Sequence, residues 1–255
     1  MTQKVPGKKD YHPLIKVIAG DSPIILSAPH GGMEIPPEYE QFINAGATPP
    51  DVFTDVLTEE IAGEAEGLGL NVSLVIDLGA RSILELNWGR EKARGIRELE
   101  AHFDAYYRAL HDLAEAAVIE HGFAVVIDVH GYKDGREGKA RHGLPPGAVC
   151  FGTRYGKLIP RSLLGAFGTF REALKEGGYA VYPEEGFDEY GPFIGGTIVV
   201  SFRGNERVAA IQVETPLSLR RDEKSRKELA GAIASALDEF VKTARKASIK
   251  DEQKK

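Results

Sequence analysis

The chain is poor in cysteine and has no long hydrophobic run. Its 255 residues include a single cysteine, Cys150, which excludes an intrachain disulfide and a zinc site built from thiolates. No stretch approaches the roughly 20 apolar residues of a membrane-spanning helix. The N-terminal residues carry charge but no apolar segment of the kind that a signal peptide has. These absences lead us to expect a reduced, cytoplasmic protein with no membrane partner.

An excess of basic residues is also missing. Lys and Arg number 32 against 38 Asp and Glu, and the formal net charge is −6. A nucleic-acid binder normally has a basic face, so we expect no nucleic-acid partner. The 29 glycines follow no period, and neither a linker nor a repeat divides the chain. We therefore expect one domain over residues 1–255, with a core at about 13–245 and loose termini. The oligomeric state stays open.

What the sequence does contain is an alternation of short apolar runs and amphipathic helical patterns. The apolar runs predict strands at 23–29, 72–78, 123–129, 148–151, 197–202 and 207–214. The helical patterns predict helices over 51–66, 96–121, 161–176 and 222–243. Strands that alternate with helices are typical of an α/β fold with a mixed, mostly parallel sheet.

Three of the predicted strands end in side chains suited to catalysis or metal binding. His30 follows the first strand, Asp128 and His130 end the third, and Glu214 ends the last. Folds of this class bind ligands at the carboxyl ends of their strands. Two histidines and a carboxylate are the ligand set of a hydrolytic zinc site with an open position, and a further carboxylate can act as general base. Taken singly, each residue is more often a hydrogen-bonding or solvated side chain.

A fourth candidate segment, ARSILELNWGRE, spans residues 80–91 and looks like a strand that leads into a turn. Arg81, Glu85, Asn87 and Arg90 are crowded into it. A basic residue beside an amide is a suitable receptor for a substrate carboxylate. The alternative is a solvated edge strand with ordinary ion pairs, which composition alone favours.

The order of several short segments resembles the N-formylglutamate amidohydrolase family. The segments are LSAPHGG, DVFTDVL, ARSILELN, AVVIDVHG, HGLPPGAVCFGT, GGTIVVSF and AAIQVE, over residues 24–216. Known members hydrolyse N-formyl-L-glutamate to formate and glutamate, in amino-acid metabolism. The family is similar to zinc carboxypeptidases and aspartoacylase-type deacylases. The resemblance therefore implies a three-layer, phosphorylase/hydrolase-like fold and a small acyl-amino-acid substrate.

The same resemblance implies a set of metal ligands and a base. His30 and His130 fall on histidines that would bind one Zn²⁺ or another divalent ion. Asp51 is the expected third ligand, and Glu34 is the alternate, because carboxypeptidase-like sites use His-x-x-Glu. Here Glu34 follows His30 by four positions, which favours Asp51. Glu214 falls on the carboxypeptidase-like general base.

On the substrate side, the resemblance implies that Arg81 stabilises the oxyanion and, with Asn87, holds the substrate carboxylate. Trp88 stands where the family has an arginine, and Arg90 is a partial substitute. Gly131 stands where the family has a serine. These departures keep three alternatives open: a deacylase with another substrate, a carboxypeptidase, and a catalytically degenerate binding protein.

Two further side chains receive expectations from their positions. Asp128 is expected to orient an imidazole behind the metal, with satisfaction of backbone donors as the alternative. His142 lies in a loop and is either a lid residue over the site or, more commonly for such a position, a solvated histidine.

Overall fold

The computed structural model describes residues 11–134, 144–184, 186 and 193–252. His142 lies outside these described residues. The strands are β1 (Ile15–Ile18), β2 (Ile24–Ala28), β3 (Ser73–Asp77), β4 (Ala124–Tyr132), β5 (Val149–Gly152), β6 (Val181–Tyr182) and β7 (Val208–Pro216). The helices are α1 (Thr54–Gly67), α2 (Arg97–His121), α3 (Leu164–Glu176), α4 (Thr197–Val200), α5 (Leu217–Arg221) and α6 (Glu223–Glu252). Short 3₁₀ helices span Pro37–Phe42, Arg90–Lys92 and Arg161–Leu163.

These strands form one mixed sheet in the order β1-β3-β2-β4-β7-β5-β6. The four central strands are parallel, whereas β1 pairs antiparallel with β3 and β5 pairs antiparallel with β7. The strands β2, β3 and β7 are buried along their whole length. Continuous apolar strands are the pattern of a sheet covered on both faces. The predicted mixed, mostly parallel sheet is confirmed.

Helices cover the two faces of the sheet, which makes three layers. On one face, Ile127 and Ile211 pack in a core with residues of α1, α3 and α6, such as Leu57, Phe170 and Phe240. The alternate strand residues, among them Ala124, Val126 and Ala210, point to the other face and pack with α2. Successive side chains of a strand point to opposite faces, so the same strands supply both cores. The predicted three-layer α/β architecture is confirmed.

Two sequence-based expectations are wrong. Residues 197–202 do not form a strand, because Thr197–Val200 form α4. So short an apolar run does not distinguish a strand from a buried helical turn by its period. Asn87 favours the helix, since its backbone oxygen and Oδ1 accept hydrogen bonds from the amides of Thr197 and Ile198, each at 3.3 Å. The run at 80–91 is not a strand either but a series of turns.

Two strands were not predicted, β1 and β6. Both lie at the edges of the sheet, and β6 has only two residues. Edge strands bury less of their surface, so their hydrophobic pattern is weaker. Over the described residues, no helix combines the length and the apolarity needed to cross a membrane.

The topology determines where the polar strand ends meet. Strand β4 lies between β2 and β7 and is parallel to both. The carboxyl ends of the three strands therefore share one edge of the sheet. His30 follows β2 at this edge, and His130 of β4 is in register with Glu214 of β7.

Candidate functional site

His30 and His130 converge at this edge, together with Asp51 from the loop before α1. The two imidazole centroids are 4.8 Å apart and the rings are inclined by 72°. Both rings are buried. The Nδ1 atom of each histidine is 3.3 Å from Oδ2 of Asp51. The ligand-type atoms of the three residues lie within 4.8 Å of one another, which makes them a group able to hold a metal ion.

Each histidine has a second carboxylate on the opposite side of its ring. Nε2 of His30 is 2.5 Å from Oε1 of Glu85, and Nε2 of His130 is 2.8 Å from Oδ2 of Asp128. A carboxylate that accepts the Nε2 proton leaves the Nδ1 lone pair directed at the centre of the cluster. Carboxylates commonly stand behind metal-binding histidines in this way, where they set the tautomer and the ring orientation. The same arrangement occurs here twice.

The carboxylate of Asp128 is held by buried side chains. Ser27 Oγ donates a hydrogen bond of 2.7 Å to Oδ1 of Asp128, and the hydroxyls of Ser27 and Tyr106 are 2.7 Å apart. Asp128, Ser27 and Tyr106 are each 0% exposed. The contacts of Asp128 therefore match an orienting role toward His130 better than the alternative of satisfying backbone donors.

Arg81 joins the two carboxylates that flank His30. Its Nε donates to Oε2 of Glu85 at 2.6 Å, and its Nη1 donates to Oδ1 of Asp51 at 3.1 Å and to the carbonyl of Pro49 at 3.2 Å. The backbone N–H of Gly131 donates to Oδ2 of Asp51 at 3.2 Å. Arg81 thus fixes the orientation of Asp51 and Glu85 through Nε and Nη1, a contact that the sequence, which assigned this guanidinium to substrate and oxyanion, did not indicate.

Glu214 lies beside the histidines without joining their hydrogen bonds. Its side chain is buried, and Gln212 Nε2 donates to its Oε1 at 2.8 Å. Gln212 is itself held, because its Oε1 accepts a 2.6 Å hydrogen bond from the amide of Gly196. Sequence reasoning did not identify Gln212, although its spacing of two from Glu214 places both side chains on one face of β7.

The ionisation of the cluster follows from burial and from these contacts. Burial raises the pKa of Asp51, but hydrogen bonds with His130 and His30 outweigh it and hold that pKa well below its usual range. Burial also raises the pKa of Glu85, and the contacts with His30 and Arg81 bring it down to about 2. Burial raises the pKa of Glu214, and there the raising effect prevails. The pKa values of Asp51 and Glu85 are therefore lowered, whereas that of Glu214 in the same site is raised.

His130 responds to the same carboxylates. Burial lowers its pKa, but Asp128 and Asp51 outweigh burial and raise that pKa well above the usual range. The cluster therefore favours a positive charge at the position that both Nδ1 atoms face, whether from protons or from a cation.

Of three other predicted site residues, two lie away from the cluster and one reaches it. Glu34 is exposed, and within the described part of the chain it is engaged through its backbone, with Leu78 and Ala80, and does not join the histidines. Arg90 is half exposed and pairs with Asp104 and Glu100, so none of its contacts reaches the cluster. Asn87 does reach it, with Nδ2 3.5 Å from Nε2 of His130.

The position of Glu85 could not be read from the sequence. It was grouped with the substrate-binding segment, and 55 positions separate it from His30. No local spacing in the sequence indicates a contact between residues so far apart along the chain.

A pocket of about 320 Å³ opens beside the cluster, with Asp51 and Gly131 in its lining.

Comparisons with known proteins bear on the family and the fold of the chain. The sequence model of the N-formylglutamate amidohydrolase family matches residues 88–219, just over half of the chain. A comparison with the curated proteins gives no match.

Solved structures share the fold. An N-formylglutamate amidohydrolase from Ralstonia eutropha aligns with a TM-score of 0.58 and 18% identity, over 92% of this chain and 97% of that one. A gene product from Agrobacterium tumefaciens aligns with a TM-score of 0.59 and 15% identity, over 91% and 96%. A protein described as a carboxypeptidase A from Shewanella denitrificans aligns with a TM-score of 0.50 and 15% identity, over 89% and 65%.

The sequence match covers β4, β5 and β7 and therefore includes His130 and Glu214. The resemblance noted in the sequence is thus confirmed, and with it a hydrolase of amide C–N bonds. The chain belongs to the N-formylglutamate amidohydrolase family.

Proposed function

We propose that this protein is a zinc-dependent amidohydrolase that removes the N-acyl group of an amino acid such as N-formyl-L-glutamate. The observation that supports it most is the convergence of two Nδ1 atoms on Oδ2 of Asp51, with a carboxylate behind each ring. Two histidines and one carboxylate suit Zn²⁺ and leave a fourth position open, although another divalent ion has similar requirements. We propose His30, Asp51 and His130 as the ligands.

In this proposal, the ion when bound acts as a Lewis acid that lowers the pKa of water and polarises the amide carbonyl. Glu214 accepts the proton of the attacking water and returns it to the nitrogen of the leaving amine. A buried carboxylate with a raised pKa suits both transfers, since it holds a proton more readily than an exposed glutamate. Gln212 holds the carboxylate in position.

The remaining residues take supporting roles in the proposal. Arg81 positions Asp51 and Glu85 through its three hydrogen bonds instead of binding the substrate carboxylate directly. Asn87 lies behind His130, with Nδ2 3.5 Å from the Nε2 atom that also contacts Asp128, and its proposed role is to support the imidazole. Arg90 has no part in it, because its ion pairs with α2 hold it elsewhere.

Trp88 favours a second candidate, a deacylase of the same chemistry with another acyl-amino-acid substrate. It replaces the arginine of the family, and its indole is 49% exposed with Lys92 stacked 4.7 Å from the ring centroid. An exposed indole cannot bind a carboxylate as a guanidinium does. The metal site and Glu214 are the same in both candidates.

The proposal is tested by metal content and by a panel of substrates. Protein purified without chelator is expected to hold one equivalent of zinc and to hydrolyse at least one N-formyl, N-acetyl or N-succinyl derivative of glutamate or aspartate. Preference for N-formyl-L-glutamate supports the first candidate and preference for another member of the panel supports the second. The proposal is wrong if the protein holds well under one equivalent of metal, gains no thermal stability from zinc and shows no turnover. That result would support the alternative of a catalytically degenerate binding protein.

Removal of either carboxylate behind the histidines is expected to weaken the metal site. Asp128→Asn and Glu85→Gln should each lower zinc affinity about 10- to 100-fold, because the amide no longer orients the imidazole or raises its basicity. Competition with a chromogenic chelator measures the affinity. The control is Asp77→Asn, since Asp77 accepts from His102 in a buried pair of 2.8 Å outside the site. Equal affinities in all three variants would contradict the arrangement.

A further inference from the structure

The pocket beside the cluster has both cationic and apolar residues in its lining. Its volume is about 320 Å³, and it is lined by Arg220 of α5 and by Lys133, together with the apolar residues Pro49, Pro50, Leu217 and Phe193. Pockets of this size are at the low end of those that bind small molecules, which suits a ligand the size of an amino acid. Because Asp51 also lines the pocket, a ligand there borders the proposed metal site.

Arg220 is buried, with only 2% of its surface exposed, and hydrogen bonds hold its guanidinium in place. Its guanidinium donates to three backbone carbonyls from separate segments: Nε to Thr215 at 3.3 Å, Nη2 to Tyr132 at 3.3 Å and Nη1 to Val52. A guanidinium has five N–H donors, so these contacts leave two without an acceptor among the described residues.

Gly131 makes room for this guanidinium. A Cβ atom built on Gly131 would lie 2.1 Å from Cζ of Arg220, far inside van der Waals contact. Gly131 does not have a positive φ, so the backbone does not require glycine there. The requirement comes from the arginine, which occupies the space that a side chain would fill.

Arg220 forms no direct ion pair in the described part of the chain; burial lowers the pKa of its guanidinium, and the charges of Asp51, Glu214 and Asp134 act only partly against that. No carboxylate there lies within 4.0 Å of its guanidinium, whereas the other buried arginine of this region, Arg226, forms an ion pair of 2.9 Å with Glu60. Arginine stays protonated at any physiological pH. Burial of a charge without a direct ion-pair partner is costly, and an anionic ligand with two oxygens would remove part of that cost by accepting the two remaining N–H groups.

We propose that Arg220 forms the carboxylate-binding subsite of the substrate pocket, so that the enzyme selects N-acyl amino acids through this guanidinium. The inference rests on the proposed function for the identity of the ligand. The carboxylate binds at Arg220, the aliphatic part of the ligand packs against Pro50 and Leu217, and the acyl amide lies at the cluster beside Asp51. Arg220 thus supplies a specificity that Arg90, paired with Asp104 and Glu100, is not placed to provide, while Arg81 is engaged with the two carboxylates that flank His30.

The test compares a dianion with its neutral isostere. Calorimetric titrations of succinate and succinamide are made on the purified protein, with and without a chelator. The wild type is expected to bind succinate at least about 10-fold more tightly than succinamide, and Arg220→Gln to lose about 10- to 100-fold of that preference, the worth of a charged hydrogen bond. Arg221→Gln is the matched control. Arg221 is the exposed neighbour on the same helix, so this substitution removes the same charge outside the pocket.

A second variant covers the case in which Arg220→Gln does not fold. Gly131→Ala keeps Arg220 in the chain but displaces its guanidinium, and is expected to lose the preference as well. If the wild type has no preference, or if the preference survives in the folded Arg220 or Gly131 variant, Arg220 is only a structural clamp and the inference is wrong. Because the preference measured in the presence of the chelator needs neither turnover nor metal, the absence of zinc or hydrolysis would overturn the proposed function alone.

Discussion

Replacement of Glu214 by glutamine is expected to abolish most turnover and to leave the metal in place. The kcat should fall about 10²- to 10⁴-fold, the range that a positioned acid or base contributes. Glutamine has nearly the same shape, and Gln212 can still hydrogen-bond its oxygen, so the local packing persists. What is lost is a group that accepts a proton from water and delivers it to the amine.

The experiment has two readouts, steady-state kinetics on the best substrate of the panel and zinc content by elemental analysis. One equivalent of zinc with a strongly reduced kcat assigns the proton transfer to Glu214. Glu34→Gln is the matched control, because Glu34 is an exposed glutamate near the same edge of the sheet, and its kcat should stay within a factor of about two or three. If Glu34→Gln loses the activity and Glu214→Gln retains it, the roles given to these two glutamates are wrong.

Loss of His130 is expected to have a different signature, in which metal and stability disappear together. His130→Ala removes one of three proposed ligands and leaves Asp51 and Asp128 buried without the imidazole that both contact. In the wild type, zinc at about 100 times its Kd should stabilise the fold by about 2.7 kcal/mol, which is about 5–10 °C in Tm for a chain of this size. His130→Ala should show no such shift.

The matched control for this prediction is His111→Ala, because His111 is an exposed histidine of α2 whose Nε2 is 3.1 Å from the hydroxyl of Ser201. Differential scanning fluorimetry with and without zinc measures the shift. His111→Ala should keep the whole shift. A zinc-dependent shift of equal size in His130→Ala would show that the ion binds elsewhere, and the proposed ligand set would then be wrong.

Together the two variants separate the functions of neighbouring residues. His130 and Glu214 lie in register on adjacent strands, so a general disturbance of this edge would affect metal content and turnover alike in both. The proposed chemistry instead expects one variant with metal and little activity and another with neither. The difference between the two patterns distinguishes a proton-transfer residue from a ligand.

Much of the architecture follows from local patterns. Apolar runs bounded by glycine, proline and polar residues marked β2, β3, β4, β5 and β7, and amphipathic periods marked α1, α2, α3 and α6. These signals are local because a buried strand or a half-buried helix must show its burial in its own residues. The helical conformation of the short run at α4 could not be predicted in this way. Its N-terminal amides are hydrogen-bonded by Asn87, which lies more than a hundred positions earlier.

The partners within the site were beyond such patterns. Strand ends indicated His30, His130 and Glu214, but not that Glu85 stands behind His30 or that Arg81 bridges Asp51 and Glu85. Ion pairs among charged side chains have no period, and every acidic residue near a basic one is a candidate partner from sequence alone. The exposure of Glu34 and the pairing of Arg90 with α2 became evident only from the folded chain.

The amino-acid sequence by itself therefore determined the α/β class, the family and the histidines at the strand ends, because burial and motif order are recorded residue by residue along the chain. Only the tertiary structure decided which carboxylate faces which imidazole and that Arg220 fills the space above Gly131. The physical reason is that these contacts join segments that become adjacent only after the sheet has formed. Their energies depend on how deeply the groups are buried and on the charges around them.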